Sequence, residues 1–355
     1  MSPVTEATTQ STEQPVAPGR RLAELINGYQ VSAAIGAFAR LGVADALASG
    51  PSSISELSQR LRADERALAR LLEATLEVGL FVLGDDGRYR LGELGELLRS
   101  DAPGSLRRFA VVSTDDWRWA AYGHLAHAVR TGEPGFVAAH GCRLWDYLAS
   151  HPDAAASFEE SMARVGAARD RAVAAAVDFS TVGRLVDVGG GRGGLLCVLL
   201  AACPALRGVV FDLPAVIEGA RESLREAGFA ERCEAVAGDF RETVPPGGDA
   251  YLLSWVLHDW DDATTLQILG NCRAAMAQGS RLLVVEMVVP EPGQPNAAAF
   301  ARLVRQTDLE MLAVVGGRER TAAEYEALLA ESGFTLDRIV PLEGMPWSVI
   351  EASAV

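Results

Sequence analysis

Apolar and polar residues change rhythm along this chain, and each change marks a different kind of structure. Over residues 20–47 apolar side chains recur at helical spacing (Leu22, Leu25, Ile26, Tyr29, Ala33, Ile35, Phe38 and Leu41), which predicts helix. Ser53-Ile-Ser-Glu56 has the form of a capping box at a helix start, and Ala63-Asp64 opens a further helix expected to run through Leu80. Phe81-Val-Leu83 and Arg88-Tyr-Arg-Leu91 flank the polar Gly84-Asp-Asp-Gly87 and predict a hairpin. Residues 105–180 read as helical and rich in rings, among them Trp117, Trp119, Tyr122, Phe136, Trp145, Tyr147 and Phe158. Rings at helical spacing pack helices far more often than they bind ligands.

After residue 180 the pattern becomes short apolar runs alternating with helical stretches. Strands are expected at 184–188, 208–212, 233–237, 250–257 and 280–287, with two more near 335–340 and 347–352. Helices are expected behind the first strand (195–202), from Pro214, over 300–315 and on to about residue 332. Five strands alternating with helices predict an α/β domain with a doubly wound parallel sheet, whose ligands lie beyond the carboxyl ends of the strands. The polar groups at those ends are the candidate chemistry: Asp187 with Gly189, Gly190 and Gly191 after the first strand, Asp212 and Leu213 after the second, Asp239 and Phe240 after the third, Ser254, Trp255 and His258 to Trp260 around the fourth, Glu286 in the fifth. The glycine turn fits two templates. Gly189, Gly191 and Gly194 match a dinucleotide fingerprint, while Asp187, Gly189, Gly191 and Gly193 match a loop used for S-adenosylmethionine. Asp212, about 20 residues on, is where an acid meets adenosine ribose hydroxyls.

Composition narrows the field. At 355 residues, about half of them apolar, the chain is long enough for two domains with sizeable cores. A formal charge of −15 speaks against a nucleic-acid partner, whose affinity comes mainly from Lys and Arg on phosphates. That matters because helix, turn, helix and hairpin together resemble a winged helix; Arg66 and Arg70 would be its phosphate contacts, but Asp64, Glu65, Glu73 and Glu77 surround them. The five cysteines have no C-x-x-C spacing and read as small buried residues in a reducing compartment. No apolar run reaches membrane-span length and the N-terminus has no signal-peptide pattern, so a cytoplasmic location is expected.

The order of Val186-Asp-Val-Gly-Gly-Gly191, Phe211-Asp-Leu-Pro214, Gly238-Asp-Phe240, His258-Asp-Trp260, Glu286 and Gly316-Gly-Arg-Glu-Arg-Thr321 is specific. Over residues 20–355 the chain resembles the small-molecule O-methyltransferases that act on caffeic acid, flavonoids and aromatic antibiotics. The resemblance implies a seven-stranded class I methyltransferase domain (181–355) with an antiparallel last strand. It also implies a dimerising winged-helix-like domain (20–104), a helical segment over the substrate (105–180), and a short disordered tail (1–19). It implies S-adenosylmethionine as cofactor, held by Asp187, Gly189 to Gly191, Asp212, Leu213, Asp239, Phe240, Ser254, Trp255 and Trp260. Ser254 stands where plant members have a lysine, so any contact there must differ. His258 is implied as general base with Glu286 and Glu319 as its orienters, and Trp117, Trp119, Met162, Asp308 and Met311 as substrate contacts.

Histidine suits that role, because a phenol ionises only near pH 10 and the imidazole is the side chain matched to neutral pH. The other histidines, 124, 127, 140 and 151, lie in the helical segment. Asp259, Asp261 and Asp262 raise a magnesium reading, but the histidine with two acids offers a metal-free route, and none is expected. The expected activity is methyl transfer to a phenolic hydroxyl of an aromatic secondary metabolite by a homodimer. Rival readings are a family member using the sulfonium without losing its methyl, a nicotinamide dehydrogenase, and a metabolite-sensing regulator.

Overall fold

The structure, a computed structural model, describes residues 17–291 and 297–355. The expected tail lies almost wholly outside the described residues. Contacts divide the chain into two compact units, residues 1–99 and 100–355.

In the first unit the apolar stretch that predicted helix over residues 20–47 forms three helices, Pro18–Ile26, Gly28–Leu41 and Val43–Ala48. The second break falls at Gly42, whose φ of 75° ends the helix in a left-handed cap, a conformation glycine adopts without strain. The capping box forms: Ser53 Oγ accepts from Glu56 N, and the Ser53 amide donates to the Glu56 carboxylate at 2.7 Å, which opens helix Ile54–Leu61. The next helix, Glu65–Ala74, is shorter than expected. Thr75 Oγ1 donates back to the Leu71 and Leu72 carbonyls, and a single turn, Leu76–Val78, leads to Gly79 at φ 83°. Strands β1 (Phe81–Leu83) and β2 (Tyr89–Leu91) pair antiparallel as the hairpin. Phe38, Leu57, Leu72 and Phe81 form the interior of this unit, while Leu22, Leu25, Ile26, Tyr29 and Val31 remain exposed.

The second unit contains β3 (Arg184–Val188), β4 (Arg207–Asp212), β5 (Cys233–Ala237), β6 (Ala250–Ser254), β7 (Arg281–Val289), β8 (Arg320–Thr321), β9 (Phe334–Pro341) and β10 (Trp347–Ala354). They form one sheet in the order β5-β4-β3-β6-β7-β10-β9, with the short β8 on β7. All neighbours from β5 to β7 are parallel, and β10 runs antiparallel between β7 and β9. The central strands are buried on both faces, which is why they read as unbroken apolar runs rather than alternating ones. Strand order reverses between β3 and β6, the switch point where open α/β sheets bind ligands.

Two elements depart from the sequence reading. The fourth strand stops at Ser254 instead of Leu257, because Trp255 takes a left-handed φ of 56° and Leu257–Asp259 close into a tight turn. The helix expected over 300–315 ends at Glu310 and widens into a π-helical turn, Met311–Val315, before Gly316 at φ 90°. Such turns are frequent at functional sites. No helix among the described residues is long and apolar enough to cross a membrane.

Candidate active site

The tight turn after β6 carries His258, and two distant segments hold it. Glu286 of β7 is fully buried, and its Oε1 accepts the amide N–H groups of Val256 (3.0 Å), Leu257 (2.9 Å) and His258 (3.4 Å). Those amides point to a carboxylate instead of continuing a ladder, which accounts for the early end of β6. From the other side, the segment Gly316-Gly-Arg-Glu-Arg320 docks by its backbone: Arg318 N donates to the His258 carbonyl at 2.9 Å. Gly317 packs so closely against that carbonyl that a side chain there could not fit. Arg320 is completely buried and donates to the carbonyls of Leu257 (2.9 Å) and Trp260 (2.8 Å), to Asp262 and to Thr265.

These contacts bring His258, Glu286 and Glu319 together. The ring Nδ1 bonds Glu319 Oε1 at 2.8 Å and lies 3.6 Å from Glu286 Oε2. The second oxygens of Glu286 and Glu319 are buried without a hydrogen-bond partner. Asp259 sets a carboxylate oxygen 3.6 Å from the other ring nitrogen, Nε2. The tight turn swings it there. Burial disfavours a charged ring, yet Glu286, Glu319 and Asp259 outweigh it and push the imidazole up to about 10. Burial also raises the Asp259 carboxyl to about 7 and lifts that of Glu286. His258, Glu286 and Glu319 offer a nitrogen and two oxygens within 4.8 Å of one another, a donor set a divalent ion could use. Nδ1, however, is taken by Glu319, and Glu286 Oε1 by three amides. Asp261 caps the helix that starts at Asp262 by accepting from Thr264 N, and Asp262 pairs with Arg320.

The strand ends beside this corner form a cradle. Gly189 and Gly191 follow β3 with φ of 72° and 57°. A Cβ on Gly189 would lie 2.7 Å from the Val256 side chain, so only a glycine lets the backbone run this close. Asp187 is buried beneath the turn, and burial pushes its carboxyl to about 7. At the end of β4, Asp212 accepts from Gly191 N (2.8 Å) and Leu213 N (2.7 Å). Burial raises its pKa against the lowering effect of those two bonds. Asp239 pairs with Arg241 at 2.6 Å, which holds its carboxyl below the usual range. Phe240 meets Trp260 edge to face at 6.0 Å, and the Arg241 guanidinium lies 5.0 Å from the Trp260 ring. A cavity of about 450 Å³ opens here, lined by Asp239, Arg241, Trp260 and Gln267 among others. Ser254 Oγ is buried and unpartnered, as is one guanidinium nitrogen of Arg169. Close backbone, strand-end acids, edge-to-face rings and unmet polar atoms together fit an adenosine ligand with a charged tail.

Of the expected substrate contacts, Trp117 and Met311 are buried in a cluster with Phe136, Leu144 and Val314. Trp119 donates to the Ser113 carbonyl at 2.9 Å, and Met162 is half-buried on helix Pro152–Ala176. Asp308 accepts the Glu319 amide at 2.9 Å, so it positions the acid behind the histidine. Arg320, which ties the histidine turn to the Gly316 segment, stands in the sequence only as one member of a motif. Its sole further signal there is its place one residue from Glu319.

A glycine-turn cradle and a carboxylate-held histidine on a doubly wound sheet define a class I methyltransferase. Residues 122–335 match the O-methyltransferase domain, and residues 23–101 match the O-methyltransferase dimerisation domain. The chain belongs to the S-adenosylmethionine-dependent O-methyltransferase family. It is 39% identical to a phenazine O-methyltransferase from Lysobacter antibioticus, covering 94% of this chain and 96% of that protein. It is 38% identical to the mitomycin biosynthesis 6-O-methyltransferase of Streptomyces lavendulae, covering 96% and 98%. Among solved structures it resembles an O-methyltransferase from neocarzinostatin biosynthesis in complex with S-adenosylmethionine and 2-hydroxy-5-methyl naphthoic acid. That match has a TM-score of 0.82 at 34% identity, covering 96% of this chain and 100% of that one. The relatives also include N-methyltransferases.

Proposed function

We propose that this O-methyltransferase of aromatic secondary metabolites transfers its methyl group to a phenolic hydroxyl, with His258 as general base. One observation carries the reading: Glu319 takes Nδ1 at 2.8 Å, which leaves Nε2 as the nitrogen that faces a reacting proton. Bound, S-adenosylmethionine supplies an electrophilic methyl on a positively charged sulfur. Beside such a charge the imidazolium is disfavoured, so His258 gives up the proton that its three carboxylates otherwise hold and becomes competent as a base. The proton it then takes from a phenol is stabilised by the same carboxylates. Glu319 fixes the ring, Glu286 fixes the turn that carries it, and the cradle residues Asp187, Gly189 to Gly191, Asp212, Leu213, Asp239, Phe240 and Trp260 receive the cofactor. Trp117, Trp119, Met162, Asp308 and Met311 remain the proposed substrate side, with Asp308 acting through Glu319. The route needs no metal.

The test is a panel of phenols and aromatic amines incubated with methyl-labelled cofactor, scored for labelled product and released S-adenosylhomocysteine. Transfer to phenols supports the reading, and transfer confined to amines replaces it with the N-methylation seen among relatives. Substrate consumed without S-adenosylhomocysteine release makes the protein a user of the sulfonium for other chemistry. We also propose a homodimer formed through the first unit, whose exposed Leu22, Leu25, Ile26, Tyr29 and Val31 form more apolar surface than a solvated helix needs. Light scattering that gives a monomer at micromolar concentration rejects it.

A further inference from the structure

Arg169 sits on helix Pro152–Ala176 and is only 7% exposed. Its Nε and Nη2 donate to Asp170 Oδ1 at 3.0 and 2.6 Å, but Nη1 is buried with no acceptor. Leaving a charged donor unmet inside a protein is costly, and native structures seldom do so without a ligand in view. Its neighbours locate the gap. The guanidinium carbon lies 4.0 Å from the centre of the Trp255 ring, the residue that turns the chain at the end of β6. A Cβ on Gly166 would fall 2.9 Å from Nη2, so a glycine one turn back makes room for the group. Asp170 Oδ2 faces Gly194, the first residue of the helix behind the glycine turn, and both Arg169 and Asp170 act electrostatically on Asp187. Since β3 and β6 are neighbours, with Val188 opposite Leu253, the guanidinium lies at the floor shared by the glycine turn and the Trp255 turn. Ser254, next to Trp255, leaves its own hydroxyl buried and unmet, at the position where plant members of the family carry a lysine.

We propose that Arg169 binds the α-carboxylate of the cofactor's amino acid end through Nη1, supplying from the preceding helix the positive charge that Ser254 does not provide. Asp170 orients the guanidinium and Trp255 stacks beneath it, so one edge of the fork stays free for a carboxylate. This rests on the methyl-donor reading above. The experiment is calorimetry with two probes, S-adenosylhomocysteine and 5′-methylthioadenosine, which share the adenosine but differ in the amino acid end. Arg169→Met should weaken S-adenosylhomocysteine by about 10- to 100-fold, the worth of a charge-assisted bond, and leave 5′-methylthioadenosine within about twofold. Arg169→Lys, which keeps the charge but not the fork, should fall between wild type and Met for the first probe only. Equal losses for both probes, or none for either, would overturn the assignment. If the Met variant does not fold, the Lys variant decides by the same contrast. Wild-type protein that binds neither probe removes the methyl-donor reading itself.

Discussion

The histidine corner and the glycine cradle sit side by side on one sheet, yet they hold their acids in opposite ways. In the corner, Glu286 and Glu319 are sealed from solvent and bound to the ring and its turn, through three backbone amides and one short bond to Nδ1. In the cradle, Asp212 and Asp239 remain partly accessible, and their partners are the amides of Gly191 and Leu213 and the guanidinium of Arg241. A corner that must present one nitrogen in one orientation gains from partners that never leave. Cradle acids that accept a ligand's hydroxyls, as proposed, gain from partners they can exchange. On the proposed mechanism, preorganisation is thus concentrated where charge would move, as electrostatic catalysis requires.

The largest effect should come from the corner. His258→Ala should lower turnover by about 10²–10⁴-fold, the usual worth of general acid–base catalysis, while affinity for S-adenosylhomocysteine stays nearly unchanged. The loss should shrink as pH approaches the phenol's own pKa, where hydroxide does the base's work. Steady-state rates from pH 6 to 10, paired with calorimetry, check both halves. Full activity of the variant at pH 7 would leave the corner a structural feature only.

Glu319→Gln sharpens the same side of the comparison. Removing that charge should lower the ring's pKa from about 10 by about one to three pH units, since an opposite charge within bonding distance has that worth. NMR titration of the ring reads it directly. The rising limb of kcat/KM should move to lower pH by the same amount. A histidine whose folded pKa lies above its unfolded value of about 6.5 stabilises the fold fully below that value and loses the contribution as pH rises through about 10. Thermal melts between pH 7 and 10 should therefore decline more steeply for wild type than for the variant.

Much of this contrast was legible in the sequence, for a physical reason. Strand-end acids stand out when the runs before them are wholly apolar, so Asp212 and Glu286 declared themselves, and His258 did so by following β6. Three features did not. The end of β6 at Ser254 is set by a carboxylate 30 residues away, while the apolar run itself continues to Leu257. That same turn brings Asp259 to 3.6 Å from Nε2, a pairing of sequence neighbours that no pattern announces. Arg320 gives no local signal of burial, because arginine is ordinarily exposed and its carbonyl partners appear only once the Gly316 segment docks. Local pattern carried the elements, and what escaped it was long-range hydrogen bonding.

In the cradle a smaller effect is expected. Asp212→Ala should weaken S-adenosylhomocysteine by about 1–3 kcal/mol, the cost of unmade ribose bonds together with a freed Gly191 amide. Calorimetry showing wild-type affinity would put the ribose elsewhere and leave the cradle acids as turn supports.

The smallest effect is the most informative about exchangeability. On the proposed reading Asp239 must release Arg241 to accept from a ligand, and the arginine side of that pair is a little under half exposed. Exposed pairs contribute about 0–1 kcal/mol, so Arg241→Gln should change affinity for S-adenosylhomocysteine by no more than that, and toward tighter binding because a competitor is gone. The contact of Arg241 with the buried Trp260 ring, 5.0 Å from its centroid, acts the other way and is worth about 0.5–1 kcal/mol with the guanidinium half in solvent. Calorimetry at two salt concentrations separates the two: loss of the ion pair weakens with salt, and loss of ring contact does not. A tenfold drop in affinity would mean that Arg241 itself holds the cofactor. The cradle acids would then be held as fixedly as those of the corner, and the distinction between fixed and exchangeable acids would fail on its weaker side.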